Sequence, residues 1–115
     1  MSTARLWGFP PWTHIPADNE NGVFNMTEQT ILKRKSGLMT ANMNGDAVMM
    51  DISTGKYFNL GQSGGYIWEL LEQPLSVENL IKALIAEYDV SYDKCKEDIL
   101  PFLQQMVEKE LLIIQ

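Results

Sequence analysis

An Asn-Gly dipeptide at residues 44–45, between two apolar runs, is the feature that most limits how this chain can fold. Both central residues of a tight hairpin turn need positive φ, which this pair tolerates unusually well. The dipeptide therefore predicts a β-hairpin with strands at 38–43 and 46–52. Apolar residues of the second strand alternate between two faces, as the two-residue period of a strand requires.

Further elements follow in an order that indicates the fold class. A short third strand is predicted at 56–60, after a Ser-Thr-Gly turn. Three helical patterns come next: one capped by Ser63 and running to about residue 71, one capped by Ser76, and one over 92–110. The apolar end, 111–114, is expected to close the core as an extended segment. Strands followed by helices predict an α+β fold, a three-stranded antiparallel sheet followed by three helices, in a winged helix-turn-helix-like layout.

Residues 1–25 differ from the rest of the chain in composition. They hold three of the five prolines and two of the three tryptophans, and they show no strand or helix period. Such composition predicts an extended or disordered tail, either an added tag or an upstream extension. The ordered domain is expected to be 26–115.

Charge and composition exclude several functional classes. The chain has 9 Lys and Arg against 15 Asp and Glu, a formal net charge of -6, which argues against nucleic acid as a partner. No apolar run approaches the roughly 18 residues of a membrane span, and no signal-peptide pattern is present, so a cytoplasmic location away from the membrane is expected. One histidine and one cysteine cannot make a zinc site of four Cys or His ligands. We therefore expect no metal and no cofactor.

Few residues suggest catalysis. The carboxylates are scattered, and those on the third helix are interpreted as a solvated face. Cys95 lies on the apolar stripe of that helix, which favours a buried small hydrophobe over a nucleophile. The glycines at 61, 64 and 65 lack the Lys and Ser or Thr of a phosphate loop and are interpreted as a strand-to-helix turn. A binding module is expected, not an enzyme.

The third predicted strand is the most informative candidate site. As the last strand of a meander it has one edge to offer, and an exposed edge beside an apolar helix can accept an extended peptide as an additional strand. Two alternatives remain open from the residues alone. In the first, residues 26–35 cover the edge; in the second, the edge pairs with a second copy of the chain.

Two motifs in fixed order, NGDAVMMDISTGKYFNLG at 44–61 and GYIWELL at 65–71, carry a resemblance to a known family. With the helical segments that follow, they resemble the PqqD-like family of recognition elements for ribosomally synthesised, post-translationally modified peptides (RiPPs). The resemblance covers about 36–114. Within that family the chain is most similar to the stand-alone leader-binding proteins of lasso-peptide biosynthesis, of the paeninodin-type pathway.

The resemblance implies a non-catalytic adaptor. Such proteins bind the leader of a precursor peptide as a strand antiparallel to their third strand, in a groove beside the third helix, and deliver it to a separate leader peptidase. Carried onto this chain, it assigns peptide binding to Lys56, Tyr57, Phe58, Asn59, Leu60, Asp98, Phe102 and Gln105. A proline at Phe58 is expected to weaken binding if the main-chain donor there pairs with the leader.

Two alternative functions and one hypothesis about the tail remain. The same layout suits a winged-helix transcription regulator, although the helix at 76–88 has Lys82 as its one basic residue. It also suits a dimerisation domain joined edge to edge. In the tail, Trp7-Gly8-Phe9-Pro10-Pro11-Trp12 has a spacing similar to the Tyr-x-x-Pro-x-Leu motif of lasso leaders. We hypothesise that it occupies such a groove.

Overall fold

The hairpin predicted at Asn44-Gly45 is present in the computed structural model, which describes residues 26–115. The predicted tail, 1–25, lies outside the described residues, so the domain boundary stays a prediction. Within 26–115 the elements follow in the order β1 (Ile31–Arg34), β2 (Leu38–Met43), β3 (Asp46–Asp51), β4 (Tyr57–Leu60), α1 (Gly61–Leu70), β5 (Leu75–Ser76), α2 (Val77–Glu87), α3 (Tyr92–Glu108) and β6 (Leu112–Ile114).

The predicted antiparallel sheet is confirmed, with strand order β2-β3-β4. Asn44 and Gly45 both have positive φ, 56° and 90°, and the Asn42 side chain accepts a hydrogen bond from the Gly45 amide at 3.1 Å. This turn sets the register, in which Met39 lies opposite Met50. Met49, on the other face of β3, is fully buried and joins the sheet to the core.

A second small sheet, in the order β5-β1-β6, was not predicted. In it β1 lies between two strands that are distant in sequence, with Leu32 paired to Leu75 on one side and to Ile114 on the other. The expected extended end is confirmed as β6. The alternative that residues 26–35 cover the third predicted strand is wrong for the part of that range that forms β1, because β1 pairs with β5 and β6 instead.

Serine caps begin the two longer helices. The Ser76 hydroxyl accepts from the Asn79 amide at 3.1 Å, which confirms the predicted start of α2. The Ser91 hydroxyl accepts from the Lys94 amide at 3.2 Å at the start of α3. The apolar faces of these helices are buried, and their fully covered members are Val77, Leu80, Ile81, Leu84, Cys95, Ile99, Phe102, Leu103 and Met106.

The predicted start of the first helix is wrong. Helix α1 begins at Gly61, and Ser63 lies within it as a buried residue. The Gly61 amide donates a hydrogen bond to the side-chain oxygen of Asn59 at 2.8 Å. Gly65 is also inside the helix, where a Cβ atom would stand 2.5 Å from the Cβ of Ala47 on β3. The glycines therefore allow α1 to pack closely on the sheet, and they are not simply a turn.

Candidate functional site

Strand β4 is the centre of the candidate site, because it is an outer strand of the order β2-β3-β4 within residues 26–115. Its register with β3 pairs Phe58 with Met49, and the Asp51 amide donates to the Lys56 carbonyl at 2.9 Å. Hydrogen-bonded pairs alternate along an antiparallel ladder, so the next such pair is Phe58 with Met49. It follows that the backbone groups of Tyr57 point away from β3, and so do those of Asn59.

This register corrects one expectation about the edge. The Phe58 amide belongs to the ladder with β3, so a proline there would break the sheet itself. The backbone donors directed toward an added strand are those of Tyr57 and Asn59. The side chains alternate in the same way: Phe58 is half-buried against the core, whereas Tyr57 is 72% exposed on the other face.

Helix α3 runs alongside β4 in the opposite direction. At one end, a Cβ atom placed on Gly64 would lie 3.0 Å from the Phe102 ring and 3.1 Å from the Leu60 Cβ, so both side chains pack against that glycine. At the other end, Lys109, which follows α3, places its Nζ 5.9 Å from the centroid of the Phe58 ring. We call the space between the two elements the β4–α3 groove.

The groove opens at its Phe58 end into a cavity of about 600 Å³. Lys56 and Phe58 line it on the strand side, and Glu108 and Lys109 line it on the helix side. Asp51 also lines this cavity. The Ser53 hydroxyl donates a hydrogen bond to Oδ1 of Asp51 at 2.7 Å, and the Ser53 amide donates to the same oxygen. These bonds, above all that of the hydroxyl, lower the pKa of the Asp51 carboxyl. The ionised carboxylate thereby fixes the turn that leads into β4.

The structure places the predicted site residues on β4, at Lys56 just before it, and on α3, but it gives them different surroundings. Leu60 and Phe102 are buried, so their side chains form the floor of the groove and not its exposed wall. Asp98 and Gln105 are partly buried and lie four and three residues from Phe102, which places all three on one face of α3. Asp98 forms an ion pair with Lys94 at 3.2 Å. Contact of any of the eight residues with a peptide stays a prediction.

Two residues that matter to this geometry were missed from the sequence. Lys109 lies beyond the predicted binding positions of the third helix, and only the observed packing brings it to Phe58. Gly64 has no side chain, which leaves room for both Leu60 and Phe102 to pack against α1. The adjacent glycines at 64 and 65 were the available signal, because two glycines inside a helix indicate close approach of another element.

Cys95 is buried, which confirms its interpretation as a core residue. Desolvation, with a smaller contribution from the charge of Asp98, raises the pKa of its thiol to about 11, so the sulfur stays protonated at neutral pH. In residues 26–115 no three side chains of His, Cys, Asp or Glu are grouped so that they could hold a metal ion. None of the helices in that range is long and apolar enough to span a bilayer.

These features define a small α+β domain whose outer strand lies beside a long helix. The family model described as coenzyme PQQ synthesis protein D (PqqD) matches residues 46–112. The chain belongs to the PqqD family. A search of curated proteins found no match.

Solved structures share this fold. The structure of TbiB1 in complex with the TbiA(beta) leader peptide is 34% identical in sequence, with a TM-score of 0.63, and the match covers 70% of this chain and 93% of that one. A lasso peptide synthetase B1 complexed with its leader peptide matches at 17% identity and a TM-score of 0.58, covering 71% and 96%. The PqqD part of Methylobacterium extorquens PqqCD, described as a stand-alone RiPP recognition element, matches at 18% and 0.66, covering 76% and 94%. The last two likenesses concern the fold.

Proposed function

We propose that this protein is a leader-peptide adaptor that binds the leader of a ribosomal precursor peptide at the outer edge of β4. The observation that carries the proposal is the position of β4 at the end of its sheet beside α3. It is supported by the likeness to TbiB1, a protein of 34% identity whose structure holds a leader peptide. Lasso-peptide maturation is the proposed pathway, because the motifs at 44–61 and 65–71 resemble those of leader-binding proteins of lasso-peptide biosynthesis.

The register supplies the binding mechanism. The leader adds a strand antiparallel to β4, and the backbone groups of Tyr57 and Asn59 face it. Main-chain hydrogen bonds then provide affinity, while side-chain pockets in the β4–α3 groove provide specificity. Since β4 runs from Tyr57 to Leu60, an antiparallel leader enters near Leu60 and leaves near Lys56. The segment that follows the leader strand therefore passes the cavity lined by Lys56 and Lys109.

The adaptor carries out no chemistry on the peptide in this proposal. It presents the bound precursor to a separate leader peptidase, and nucleic acid and membrane are not among its partners. A role as a transcription regulator finds no support in the charges of α2, where Lys82 is ion-paired with Glu78 at 3.5 Å. The chain would work in the cytoplasm, where precursor peptides are made.

The decisive experiment measures binding of the fluorescently labelled leader, encoded next to this gene, by anisotropy. A set of leader peptides carrying single N-methyl groups tests strand addition directly, because only alternate amides of an added strand face β4. We expect loss of affinity at every second position over the paired segment. Equal tolerance at all positions would exclude strand pairing, and absence of binding to the unmodified leader would overturn the proposed function.

A matched pair of variants tests the edge from the protein side. Tyr57→Ala and Tyr57→Pro both remove the exposed ring, but only the proline also removes the amide donor. A hydrogen bond contributes about 1 kcal/mol net, so Tyr57→Pro should bind the leader roughly fivefold more weakly than Tyr57→Ala. Since proline is tolerated where an edge-strand amide faces outward, both variants should fold. Equal affinity of the two would place the leader elsewhere.

A further inference from the structure

Strand β6 offers a second strand edge, in the other sheet. Within residues 26–115 it is an outer strand of the order β5-β1-β6, and it carries neither a charged side chain nor a proline, two devices that commonly protect such an edge. The Gln115 amide donates to the Ile31 carbonyl at 2.8 Å. Because hydrogen-bonded pairs alternate along an antiparallel ladder, the backbone groups of Leu112 and Ile114 point away from β1.

A cavity of about 310 Å³ lies at this strand, and we call it the β6 pocket. The chain turns back after α3 with a positive φ of 59° at Glu110, so the end of the helix and β6 together enclose the pocket. Most of its lining is apolar: the residues are Lys35, Val107, Glu110, Leu112, Ile113 and Ile114. Such a lining suits an apolar side chain of an extended peptide.

The β6 pocket adjoins the exit of the β4–α3 groove. Lys35 and Glu110 line both this pocket and the larger cavity at the Phe58 end of the groove. A leader strand antiparallel to β4 leaves the groove near Lys56, which lines the same larger cavity. The precursor residues that directly follow the paired strand are therefore led toward the β6 pocket.

The size of the β6 pocket argues against a whole protein as its occupant. Six residues line it, whereas a stable interface between two proteins takes roughly 20–30 residues from each side. A second copy of the chain and a separate enzyme fall short by the same measure. A segment tethered to an already bound strand does not, because the tether gives it an effective concentration on the order of millimolar and a small contact then adds to affinity.

We propose that the β6 pocket is a second binding site for the precursor peptide, and that it takes an apolar side chain from the segment directly after the leader strand. This inference rests on the proposed function, because the tether exists only when the leader is paired to β4. The precursor then contacts two outer strands, β4 and β6, that belong to different sheets. The second contact directs the path of the precursor beyond its leader strand and adds selectivity for its sequence.

The test compares fluorescent peptides made from the precursor encoded next to this gene, with binding measured by anisotropy. A short peptide ends with the paired segment, as mapped by the N-methyl series. A long peptide continues for about ten further residues, which reach about 30 Å when extended. A third peptide is the long one with its downstream apolar residues replaced by serine.

Each peptide is measured with three proteins: the unmodified chain, Ile114→Asp and Met43→Asp. Ile114 is 47% exposed and lines the β6 pocket. Met43 is 58% exposed on β2, outside the lining of that pocket, so Met43→Asp is the matched control with the same new charge on another outer strand.

The unmodified protein and Met43→Asp should bind the long peptide about tenfold more tightly than the short one, as expected for one buried apolar side chain. Ile114→Asp should bind both peptides equally, with the affinity that the unmodified protein has for the short one. The serine-substituted peptide should lose the gain on the unmodified protein, a result that does not depend on the folding of a variant.

Equal affinity of the unmodified protein for the short and long peptides would overturn the inference while leaving leader binding intact. A gain kept in full by Ile114→Asp or by the serine-substituted peptide would overturn it as well. Failure of the unmodified protein to bind either the short or the long peptide would instead refute the proposed function.

Discussion

Replacing Gly65 with alanine tests the close packing of α1 on the sheet. The new Cβ would stand 2.5 Å from the Cβ of Ala47, whereas carbon atoms in contact are about 3.5–4.0 Å apart. Both atoms are attached directly to backbone, so no rotamer change relieves the clash. Either α1 or β3 must shift by about 1 Å or more.

The expected cost follows from two opposing effects. Overpacking a core contact costs about 1–3 kcal/mol, and the upper end applies here because two regular elements must separate. Alanine is better than glycine inside a helix by about 1 kcal/mol, which offsets part of that cost. The free energy of unfolding of Gly65→Ala should therefore be lower than that of the unmodified protein by about 2 kcal/mol.

Urea unfolding followed by tryptophan fluorescence measures this change, and a double-mutant cycle assigns its cause. Ala47→Gly removes the atom that the new Cβ meets, so the cost of Gly65→Ala should be smaller in that background. The coupling free energy should be at least about 1 kcal/mol, as for residues in direct contact. A Gly65→Ala protein as stable as the original, or a coupling of zero, would refute the packing argument.

Two substitutions and one labelling experiment test contacts around the core. The Arg34 guanidinium donates two hydrogen bonds to the Trp68 carbonyl, and its Cζ lies 4.8 Å from the centroid of the Trp68 ring. Lysine cannot donate from two nitrogens at once, so Arg34→Lys should lower the free energy of unfolding by about 1–2 kcal/mol. Urea titration measures this change, and an unchanged free energy of unfolding would contradict the role of Arg34. A hydrogen bond to Glu28 raises the pKa of Tyr92 from its ordinary value of 10.0 to about 12. The pKa of Tyr92 is higher in the folded state, so this stabilisation is complete from neutral pH up to pH 10 and is lost between pH 10 and 12. The stability difference between the unmodified protein and Tyr92→Phe should therefore shrink from pH 10 to pH 12, and a constant difference would count against this role. Cys95, whose thiol pKa burial raises to about 11, should react with a disulfide reagent at neutral pH only as fast as the chain unfolds, and rapid labelling of the folded protein would show that it is accessible.

Local signals account for the parts of the fold that could be predicted. The Asn44-Gly45 turn needs positive φ at both residues, and few other pairs tolerate that conformation. The start of α2 was equally clear, because a serine before an apolar helical stripe is a specific cap. The start of α1 was predicted wrongly, since a Gly-Gly pair is compatible both with a turn and with a helix that another element approaches closely. Only the contact with Ala47 distinguishes the two.

Non-local pairing accounts for what was missed. Strand β1 is short, and its neighbours β5 and β6 come from distant parts of the chain, so no pattern within β1 predicts them. The same limit applies to the candidate site. Strand β4 and helix α3 could be assigned from family resemblance, but the outward direction of the Tyr57 amide depends on the register with β3. The approach of Lys109 to Phe58 depends on the path of the chain after α3.

Helix α1 positions both sides of the β4–α3 groove. It follows β4 without a linker, and its Gly64 leaves room for the side chains of Leu60 on the strand and Phe102 on α3. One residue later, Gly65 brings the same helix against the sheet. The separation of the two walls of the groove therefore depends on backbone approaches at two glycines of α1, in addition to the Lys109 side chain that reaches Phe58. Exposed positions along β4 and α3 can then change to suit a different leader, whereas a side chain added at either glycine displaces the walls themselves.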